Sequence, residues 1–590
     1  MTAERTSRAA LVVFALLAVA TVGAFFVTQR LKRGSAVVKK ISTPLYVSPN
    51  GDGRKDVAKI SFRLPKADHA TVTIVDGAGE EVRRLVDDRK LRRGTHRVTW
   101  TGRDNSGAVP PDGRYYLRVI LRGQGRATTA PRGILLVTTP PRPKLVSVTP
   151  GRIRPGGGRS VSIRYSGATS PPAVFSIYST GDGAPRLVRS FEGERGSSTG
   201  RWDGADASGR PVPPGTYAVA VTVQNRARVN GSAPAKLPPT AKTAVRGTGI
   251  TVSGPEAAAP LTPVRAGTVA RVHVPGQRGA APYTLTRVGE QRPLRRGRAR
   301  GAALRIGVPS RASTGLYTLR VRTRSGPVAA PLAIRGRGSG RVLVVLPAVS
   351  WQGANEVDDD ADGFPNTLAD TPAVALNRPF ALGRLPAALR SETAPLLAFL
   401  DRRHLRYDLT TDLALAQGAG PRIAGHSGLL FAGSELWLTE ALDRDLRAYV
   451  ERGGRVASFG TDAFRRTVGV NSAQLMGPSE PQQTNVFGEQ TATATSAAAP
   501  LVVARDAAGL FGGSDGFIGL FTHFEQQRAL VGGARTLSAA GRDPRHPAFV
   551  AYGLGKGTVV RVGTPQWVAA LGSDSEVQAV TRSTWELLSR

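Results

Sequence analysis

The sequence contains no cysteine among its 590 residues. This absence excludes disulfide bonds, thiolate metal sites and a thiol nucleophile. Acidic residues are also scarce, because 43 Asp and Glu stand against 80 Lys and Arg, which gives a formal net charge of +37. A basic surface of this kind is suited to anionic lipid headgroups and anionic wall polymers. We therefore predict a membrane as a partner, together with anionic envelope polymers or another envelope protein.

Aromatic residues are few, at 6% of the chain, and they are not interleaved with the arginines in a groove-like pattern. Binding of single-stranded nucleic acid needs such aromatic platforms beside the basic residues. We therefore expect no nucleic-acid partner. The 69 Gly and 42 Pro instead indicate many turns and short strands spread over several domains.

One long apolar run is present, Ala9 to Val27, and it follows Arg5 and Arg8. The run is long enough to span a bilayer, and it is also typical of a signal peptide, with small residues suited to cleavage at 18–20. We predict that residues 1–28 form a membrane anchor or signal segment, and we favour the uncleaved anchor. Basic residues after the run indicate a cytoplasmic C-terminal side, but long translocated domains override local charge. The predicted location is the cell membrane, single-pass, with the bulk of the chain extracytoplasmic.

A repeat follows the apolar run. The segment WTGRDNSGAVPPDGRYYLRV at 100–119 returns as WDGADASGRPVPPGTYAVAV at 202–221. Alternating apolar residues around each copy predict antiparallel strands with one buried face, in repeats of the size of an immunoglobulin-like sandwich. We expect such sandwiches at 41–138 and 142–228, and a divergent one without the Trp signature at 244–336.

The two repeats resemble the immunoglobulin-like module named after the flagellar hook-capping protein, through Trp-x-Gly-x-Asp followed by Gly-x-Tyr. The first copy opens with SPNGDGRKD at 48–56, which is similar to the start of such modules. Asn50, Asp52 and Asp56 in this segment could bind calcium, although Asn-Gly-Asp-Gly is equally explained as a tight turn. The resemblance implies a location outside the cytoplasm.

From residue 341 the pattern changes. RVLVVLPA is a continuous apolar run, and helical segments then alternate with the short apolar segments GLLFAG and RVASFG. This order predicts an open parallel sheet, with ligands bound beyond the carboxyl ends of its strands. The residues expected to bind a ligand there are Trp351, Asn355, Ser434 and Glu435. The predicted fold class is multidomain: an N-terminal membrane helix, two or three all-β immunoglobulin-like sandwiches, and a C-terminal α/β domain with an open parallel sheet at 341–590.

Residues 341–590 resemble the C-terminal domain of the large subunit of N,N-dimethylformamidase, a class I glutamine-amidotransferase-like fold. The residues that carry the resemblance are VLVVLPAVSWQGAN, FAGSELWLTEALDRDLRAYVERGGRVASFG and YGLGKGTVVRVGTPQWVAAL. The resemblance implies iron held by tyrosines and a glutamate. Ala354 replaces the tyrosine that the family carries after the first strand, so we expect no iron.

Amidotransferase chemistry needs a thiolate, a histidine base and an orienting acid. Without a thiol, the candidate catalytic residues are His523, Glu525 and Thr461, with Ser458 near the same turn. The spacing His-x-Glu is common by chance, so a packed or solvated histidine is the competing interpretation. Whether the protein is an enzyme stays open at this point.

The segment NEVDDDADGFPNT at 355–367 is strongly acidic for so basic a chain. Asp358, Asp360 and Asp362 alternate before Gly363, and this loop resembles the calcium loops of thrombospondin type 3 repeats. Calcium is the predicted cofactor, and a solvated acidic loop is the alternative. The polar segment 471–500 is expected to be a flexible excursion.

Two functions remain open. The first is a membrane-anchored, exported envelope protein that presents a degenerate amidotransferase-like domain, for a ligand or partner, on immunoglobulin-like modules. The alternative is a metal-dependent amidase or hydrolase related to N,N-dimethylformamidase, with a site drawn from Glu356, Asp358, Asp360, His523 or Glu525. The absent cysteine and the replaced tyrosine favour the first.

Overall fold

The computed structural model describes residues 12–24, 37–154, 158–181 and 183–590. Strands account for 42% of it and helices for 14%. Three β-sandwiches follow one another along the chain, and a larger unit with a mixed sheet completes it.

The first sandwich packs a three-stranded sheet, β1-β3-β6, against a six-stranded sheet, β2-β9-β7-β4-β5 with β8 on β7. Alternate residues of each strand face the shared core, as Ile60 and Phe62 do. The strands are β1 (Lys39–Ser42), β2 (Tyr46–Val47), β3 (Ala58–Leu64), β4 (Asp68–Val75), β5 (Glu81–Leu91), β6 (Gly94–Trp100), β7 (Gly113–Leu121), β8 (Arg126–Thr129) and β9 (Ile134–Leu136).

The second sandwich repeats this plan, with sheets β10-β12-β15 and β11-β18-β16-β13-β14, and β17 on β16. Its last strand, Gly249–Val252, lies inside the range predicted for the third unit but pairs with β16 and β11. The strands are β10 (Lys144–Thr149), β11 (Arg152–Ile153), β12 (Val161–Ser166), β13 (Val174–Ser179), β14 (Arg186–Glu192), β15 (Thr199–Trp202), β16 (Gly215–Gln224), β17 (Asn230–Ala233) and β18 (Gly249–Val252).

The sequence repeat forms the same local structure in both sandwiches. Trp100 and Trp202 are buried, and their indole N–H groups donate to the carbonyls of Arg103 and Ala205, three residues on. Each indole also packs against the repeat's tyrosine, with ring centroids 5.3 Å and 5.6 Å apart. The hydroxyl of Tyr115 closes the turn by donating to the carbonyl four residues before it, at 2.7 Å.

The third sandwich lacks the tryptophan but keeps the tyrosine contact, because the hydroxyl of Tyr317 donates to the carbonyl of Ser313. Its sheets are β19-β25-β24-β21-β22 and β20-β23, and residues of both sheets form one core. The strands are β19 (Val264–Arg265), β20 (Val269–His273), β21 (Ala280–Arg287), β22 (Arg295–Arg300), β23 (Ala303–Gly307), β24 (Gly315–Thr323) and β25 (Gly326–Arg335).

The C-terminal unit, residues 341–590, is built on a nine-stranded sheet of order β28-β26-β29-β31-β38-β37-β36-β34-β35. A four-stranded sheet, β27-β33-β32-β30, lies beside it. The strands are β26 (Val342–Leu346), β27 (Ala373–Ala375), β28 (Tyr407–Thr411), β29 (Gly428–Phe431), β30 (Leu438–Thr439), β31 (Arg455–Ser458), β32 (Thr467–Val470), β33 (Gln474–Met476), β34 (Glu489–Asp506), β35 (Phe517–Leu530), β36 (Arg535–Gly541), β37 (Phe549–Leu554) and β38 (Gly557–Val562).

Helices cover this sheet, and each has one apolar face. In the helix Glu440–Glu451, Leu442, Leu446 and Val450 are buried as their spacing predicts, and the Thr439 hydroxyl caps the first turn. The α-helices are α1 (Ala348–Gly353), α2 (Ala394–Arg402), α3 (Asp412–Ala416), α4 (Glu440–Glu451), α5 (Trp567–Ala570) and α6 (Ser575–Ser589). A π-helical turn, Leu389–Thr393, leads into α2.

The predicted C-terminal α/β domain with an open parallel sheet is wrong. Strands β28, β26, β29, β31 and β38 are parallel, but β37, β36, β34 and β35 continue the same sheet in antiparallel fashion. The flexible excursion predicted at 471–500 is also wrong, because this segment contains β33 and the first part of β34. Small Thr and Ala side chains conceal the strand pattern there.

The predicted single-pass membrane protein with an N-terminal membrane helix is contradicted. Within the residue ranges given above, no helix has both the length and the apolar character needed to cross a bilayer. Residues 12–24 are helical and exposed. Residues 1–11 and 25–28 of the predicted anchor lie outside the described residues.

Candidate functional site

The loops after β29 and β31 meet at the carboxyl ends of the parallel strands. The Thr461 main-chain N–H donates to the Ser434 hydroxyl oxygen at 3.1 Å, and the Ser434 N–H donates to Glu392 at 2.8 Å. A Cβ on Gly460 would lie 2.3 Å from the Gly433 carbonyl oxygen, so only glycine permits this approach. The structure therefore brings together Ser434, Glu435 and Thr461, whereas their roles in ligand binding and catalysis stay predictions.

A buried pair of carboxyl groups lies beneath this meeting point. Glu435 and Asp412 are both fully buried, and the charge of Asp412 acts on Glu435. The Asp412 carboxylate accepts from the main-chain N–H groups of Val349, at 3.0 Å, and Leu413, at 2.6 Å. Within the described residues, neither Glu435 oxygen accepts a hydrogen bond from an N–H or O–H donor.

The proton of this pair belongs on Glu435. Burial, followed by the charge of Asp412, raises the pKa of Glu435 well above its usual range. Burial also raises the pKa of Asp412, but donated N–H groups of the α1 and α3 first turns oppose that effect. Asp412 is thus the carboxylate that main-chain N–H groups stabilise, and Glu435 is the neutral acid of the pair. Asp412 escaped sequence reasoning, because the strand before it, Tyr407–Thr411, is buried but reads YDLTT and is not an apolar run.

The two tryptophans beside the pair belong to the core. Trp351 is 5% exposed and Trp437 4%, and neither indole N–H finds an acceptor within the described residues. Asn355 is also committed internally, since its amide donates to Gln352 and Pro379 and accepts from the Ala381 N–H. Of the predicted ligand residues, Trp351 therefore lies in the core, and Asn355 holds the start of the acidic loop against Pro379 and Ala381.

The candidate catalytic residues do not form a nucleophile and base pair. Both oxygens of Glu525 accept from the Asp462 N–H at 3.2 Å, and one accepts from the Thr491 hydroxyl at 2.9 Å. His523 is exposed, and its Nδ1 lies 2.7 Å from the hydroxyl of its neighbour Thr522. In the described part of the chain, no hydrogen bond links Thr461 with His523 or Glu525, and the buried Ser458 hydroxyl has no partner.

A buried ion pair that the sequence did not reveal supports Glu525. Arg561 donates through Nε to both oxygens of Glu489, each at 2.8 Å, and through Nη1 to the Glu525 carbonyl at 2.9 Å. Arg561 is 4% exposed and Glu489 is fully buried. A charged residue within the apolar strand GTVVRV was the available signal.

The acidic loop turns its carboxylates inward. Asp358 is 5% exposed, and it accepts from the N–H groups of Ala361, at 2.6 Å, and Gly363, at 2.9 Å. One carboxylate oxygen from each of Asp358, Asp360 and Asp362 lies within 4.8 Å of the other two. Burial raises the pKa of Asp358 to about 6, and the Asp362 charge adds to this effect. Burial likewise raises the pKa of Asp362 to about 6.

The same loop joins the C-terminal unit to the second sandwich. The N–H groups of Gly247 and Gly249 donate to the carbonyls of Asp360 and Ala361, at 3.2 Å and 2.8 Å. A Cβ on Gly249 would lie 1.9 Å from the Gly363 nitrogen, so the two backbones touch. The loop at 355–367 therefore bridges two units and is not a solvated excursion. We call this loop the bracket.

A cavity of about 530 Å³ lies on one side of this bracket. Its walls come from the second sandwich and from the loop, and they include Arg152, Glu256, Tyr217, Glu356, Asp358 and Phe380. Arg152 and Glu256 form an ion pair across 3.0 Å. We call this space the bracket cleft. It joins apolar walls with a few charged groups, as small-molecule sites do.

The first acidic turn has a different character. Asp56 accepts from the N–H groups of Gly51, at 2.9 Å, and Gly53, at 2.7 Å, and Asp52 accepts from Arg54 at 2.7 Å. All of these contacts are exposed. Asn50, Asp52 and Asp56 thus brace a tight turn with their own oxygens.

The residues at the first strand's mouth do not fit the iron that the resemblance implies. Ala354 is exposed at the end of α1 and offers only a methyl group. The next residue, Asn355, has its amide engaged as described above. Among the described residues, the one group of three His or carboxylate side chains close enough to share an ion is Asp358, Asp360 and Asp362, which lies in the bracket. Position 354 therefore supplies no hydroxyl for the iron that the resemblance implies.

The fold and the site define a β-rich chain of immunoglobulin-like modules that ends in a mixed-sheet unit with a buried carboxyl pair. Residues 50–124 match the family model of the FlgD Ig-like domain. Residues 301–502 match the model described as N,N-dimethylformamidase beta subunit-like, C-terminal. Both predicted family resemblances are confirmed, whereas neither description names an amidotransferase.

Several solved structures are similar to parts of this chain. The fibronectin(III)-like modules of Clostridium thermocellum CbhA are 16% identical over 33% of this chain and 88% of theirs, with a TM-score of 0.18. A 1.5-MDa bacterial ice-binding adhesin is 14% identical over 51% and 98%, with a TM-score of 0.20. SGBP-B of Bacteroides ovatus is 14% identical over 50% and 67%, with a TM-score of 0.16. Scores at this level carry no functional conclusion. No curated protein matches the sequence.

Proposed function

We propose that this chain is a non-catalytic binding protein whose dimethylformamidase-like unit is held on the second sandwich and binds a ligand in the bracket cleft. One observation carries the proposal: within the described residues, the candidate catalytic side chains Thr461, His523 and Glu525 share no hydrogen bond that would pair a nucleophile with a base. Glu525 is held by Asp462 and Thr491, and Asp412 by two main-chain N–H groups. A nucleophile needs a base within hydrogen-bond reach, and Thr461 makes its contact to Ser434 through the main chain.

The test is turnover of N,N-dimethylformamide and simple amides by the full chain, with and without added Fe²⁺ or Zn²⁺. We expect the same background rate for the natural protein and for the His523→Ala and Glu525→Gln variants. Turnover that the natural protein shows and either variant loses would overturn the proposal.

The proposal includes calcium as the cation of the bracket. Three carboxylates within 4.8 Å of one another repel, and the burial of Asp358 increases the cost of its charge. A hard divalent cation with oxygen ligands would relieve both costs. We expect isothermal titration of CaCl₂ to show binding to the natural protein, and none to the Asp360→Ala variant.

The matched control for this titration is Asp87→Asn, which removes a carboxylate with 69% side-chain exposure from the first sandwich. It should leave calcium binding unchanged. Equal binding by Asp360→Ala and the natural protein would remove calcium from this loop.

A second function, a metal-dependent amidase, is favoured by the family match at 301–502 and by the neutral acid Glu435 at the strand ends. General acid catalysis uses such a raised pKa. The metal content of the purified chain distinguishes the two functions. Stoichiometric iron or zinc together with amide turnover would establish the amidase in place of the binding protein.

A further inference from the structure

The outer face of the third sandwich carries a row of arginines without counterions. Arg296 on the edge strand β22 stands opposite Thr284, and Thr284 stands opposite Arg320 on β24. Side chains that share a row in this way point to the same face of a sheet. Since neighbouring strands are about 4.8 Å apart, the two arginines rise from the sheet roughly 10 Å apart.

Both arginines are exposed, and within the described residues neither makes an ion pair or a hydrogen bond. Arg298 and Arg300 extend the charge along the edge strand, and both are exposed as well. Like charges so close on one face repel, and no ion pair within the described residues compensates Arg296 or Arg320. An unpaired row of this kind is a ready acceptor for repeated negative charges.

The row borders a groove of about 580 Å³ between the third sandwich and the helical turn that leads into α2. Its polar lining includes Arg296, Arg320, Arg390, Thr284, Thr286 and Thr318. The three threonine hydroxyls form no hydrogen bond within the part of the chain that the structure describes. Glu290 is one acid at the rim, and Arg287 in the same wall is neutralised by Asp401 at 2.8 Å.

We propose that this surface, the arginine row with its groove, binds a linear anionic polysaccharide. The planar guanidinium group suits carboxylate, sulfate and phosphate groups, because it can donate two parallel hydrogen bonds. The free threonine hydroxyls between the arginines suit sugar hydroxyls, which polyphosphate lacks. The exposed Pro282 in the neighbouring row gives an apolar contact for a sugar ring.

Nucleic acid fits this face less well. The outward side chains of its rows are Thr, Pro and Arg, and the tyrosines of the same strands, Tyr283 and Tyr317, are buried in the core. A single strand would find no aromatic platform for its bases. The proposed site lies apart from the bracket cleft, so each can fail without the other.

The experiment uses the full chain and fluorescently labelled dextran sulfate, with uncharged dextran of the same length as the negative probe. The test variant is Arg296→Gln with Arg320→Gln. The matched control is Arg271→Gln with Arg305→Gln, an exposed pair of directly opposed arginines on the other sheet of the same sandwich. Both variants remove two positive charges from one unit.

We expect the Kd for dextran sulfate to rise about tenfold in the test variant and less than about twofold in the control, as the loss of two charge-assisted contacts implies. The Arg296→Lys with Arg320→Lys variant, which keeps the charge without the planar fork, should fall between the two. Thermal unfolding curves that match the natural protein show that each variant is folded.

Equal weakening by both glutamine pairs would mean diffuse attraction to a basic surface and would overturn the proposal. Tighter binding to duplex DNA, or to vesicles of phosphatidylserine, with the same dependence on Arg296 and Arg320 would also overturn it. Binding to uncharged dextran at a similar Kd would show that charge is not what the surface recognises.

Discussion

The hydroxyl of Thr180 donates a hydrogen bond to the carbonyl oxygen of Gly363, which lies 183 residues further along the chain. This bond is buried and joins the second sandwich to the acidic bracket. Gly363 has φ +89°, and a Cβ there would lie 2.5 Å from the Tyr217 carbonyl oxygen. The main chain of the bracket therefore packs directly against the main chain of β16.

A methyl group at Gly249 should separate these backbones. The added Cβ would lie 1.9 Å from the Gly363 nitrogen, which no side-chain movement can relieve. We expect Gly249→Ala to lower the free energy of unfolding by about 1–3 kcal/mol, as overpacking does. Urea denaturation measures this change. Gly279→Ala, where a Cβ meets nothing within 4 Å, is the control and should be neutral. Equal stability of the two variants would contradict this direct main-chain packing.

The buried acid pair predicts a pH dependence of stability. The folded-state pKa of Glu435 is raised, so the folded chain keeps a proton that the unfolded chain releases once the pH exceeds the usual value near 4.5. The free energy of unfolding is therefore highest below that pH, and it falls as the pH rises toward the folded-state pKa, by about 1.4 kcal/mol for each pH unit.

Glu435→Gln should remove the part of this dependence that Glu435 contributes, because an amide does not titrate; the raised pKa of Asp412 leaves a weaker dependence of the same sign. We expect the variant to exceed the natural protein in stability at pH 8 and to approach it at pH 4.5. Chemical denaturation at both values tests this. Glu80→Gln, an exposed change in the first sandwich, serves as the control. A variant curve parallel to the natural one would rule out a proton held on Glu435.

Replacing only Arg561 in its ion pair with Glu489 should lower the free energy of unfolding strongly. Arg561→Met leaves a fully buried carboxylate without its partner, and we expect a loss of about 3–5 kcal/mol. The double variant with Glu489→Met should lose less than the single one, since no buried charge is then left uncompensated.

The comparison for this loss is Arg84→Met, which breaks an exposed pair with Glu81 across 3.0 Å. Its effect should be far smaller, because solvent screens an exposed ion pair. A single variant at Arg561 that is as mild as Arg84→Met would show that the buried pair does not stabilise the sheet.

The tyrosine contact should contribute equally in two sandwiches of different sequence. Tyr115→Phe and Tyr317→Phe each remove one hydrogen bond to a carbonyl four residues before, at about 1 kcal/mol. Burial raises the pKa of Tyr317 to about 12, so its hydroxyl stays a donor in ordinary buffers. Thermal unfolding reports the losses.

Tyr283→Phe is the control for this pair, because no hydrogen bond is recorded for its hydroxyl in the described part of the chain. A loss at Tyr283 equal to that at Tyr317 would show that the cost comes from packing and not from the hydrogen bond.

Parts of the C-terminal unit could be predicted from the sequence, because in some strands every residue is buried and apolar. The run at 342–346 is buried at every position, and the spacing of Leu442, Leu446 and Val450 identified the helix that covers it. The antiparallel half was not readable, because β34 is rich in Thr and Ala and offers no alternation of large apolar residues. The class of the sheet was therefore misjudged from its first half.

The candidate functional site could also be predicted only in part. Strand order placed Ser434, Glu435 and Thr461 together, since the carboxyl ends of parallel strands meet at one edge. It did not reveal Asp412, whose importance comes from burial beside a second carboxyl group. Contacts made across a hundred residues or more, such as those of the bracket with Gly247 and Gly249, leave no local signal.

The packing of the bracket against the second sandwich also determines which truncated forms of the chain keep its contacts. A fragment that starts at residue 341 would keep the loop 358–364 but lose the strand edge that covers Gly363, and it would expose main-chain carbonyls that Gly247 and Gly249 now satisfy. The shortest C-terminal fragment that keeps all of these contacts therefore begins near residue 144, two sandwiches ahead of the unit it is meant to isolate.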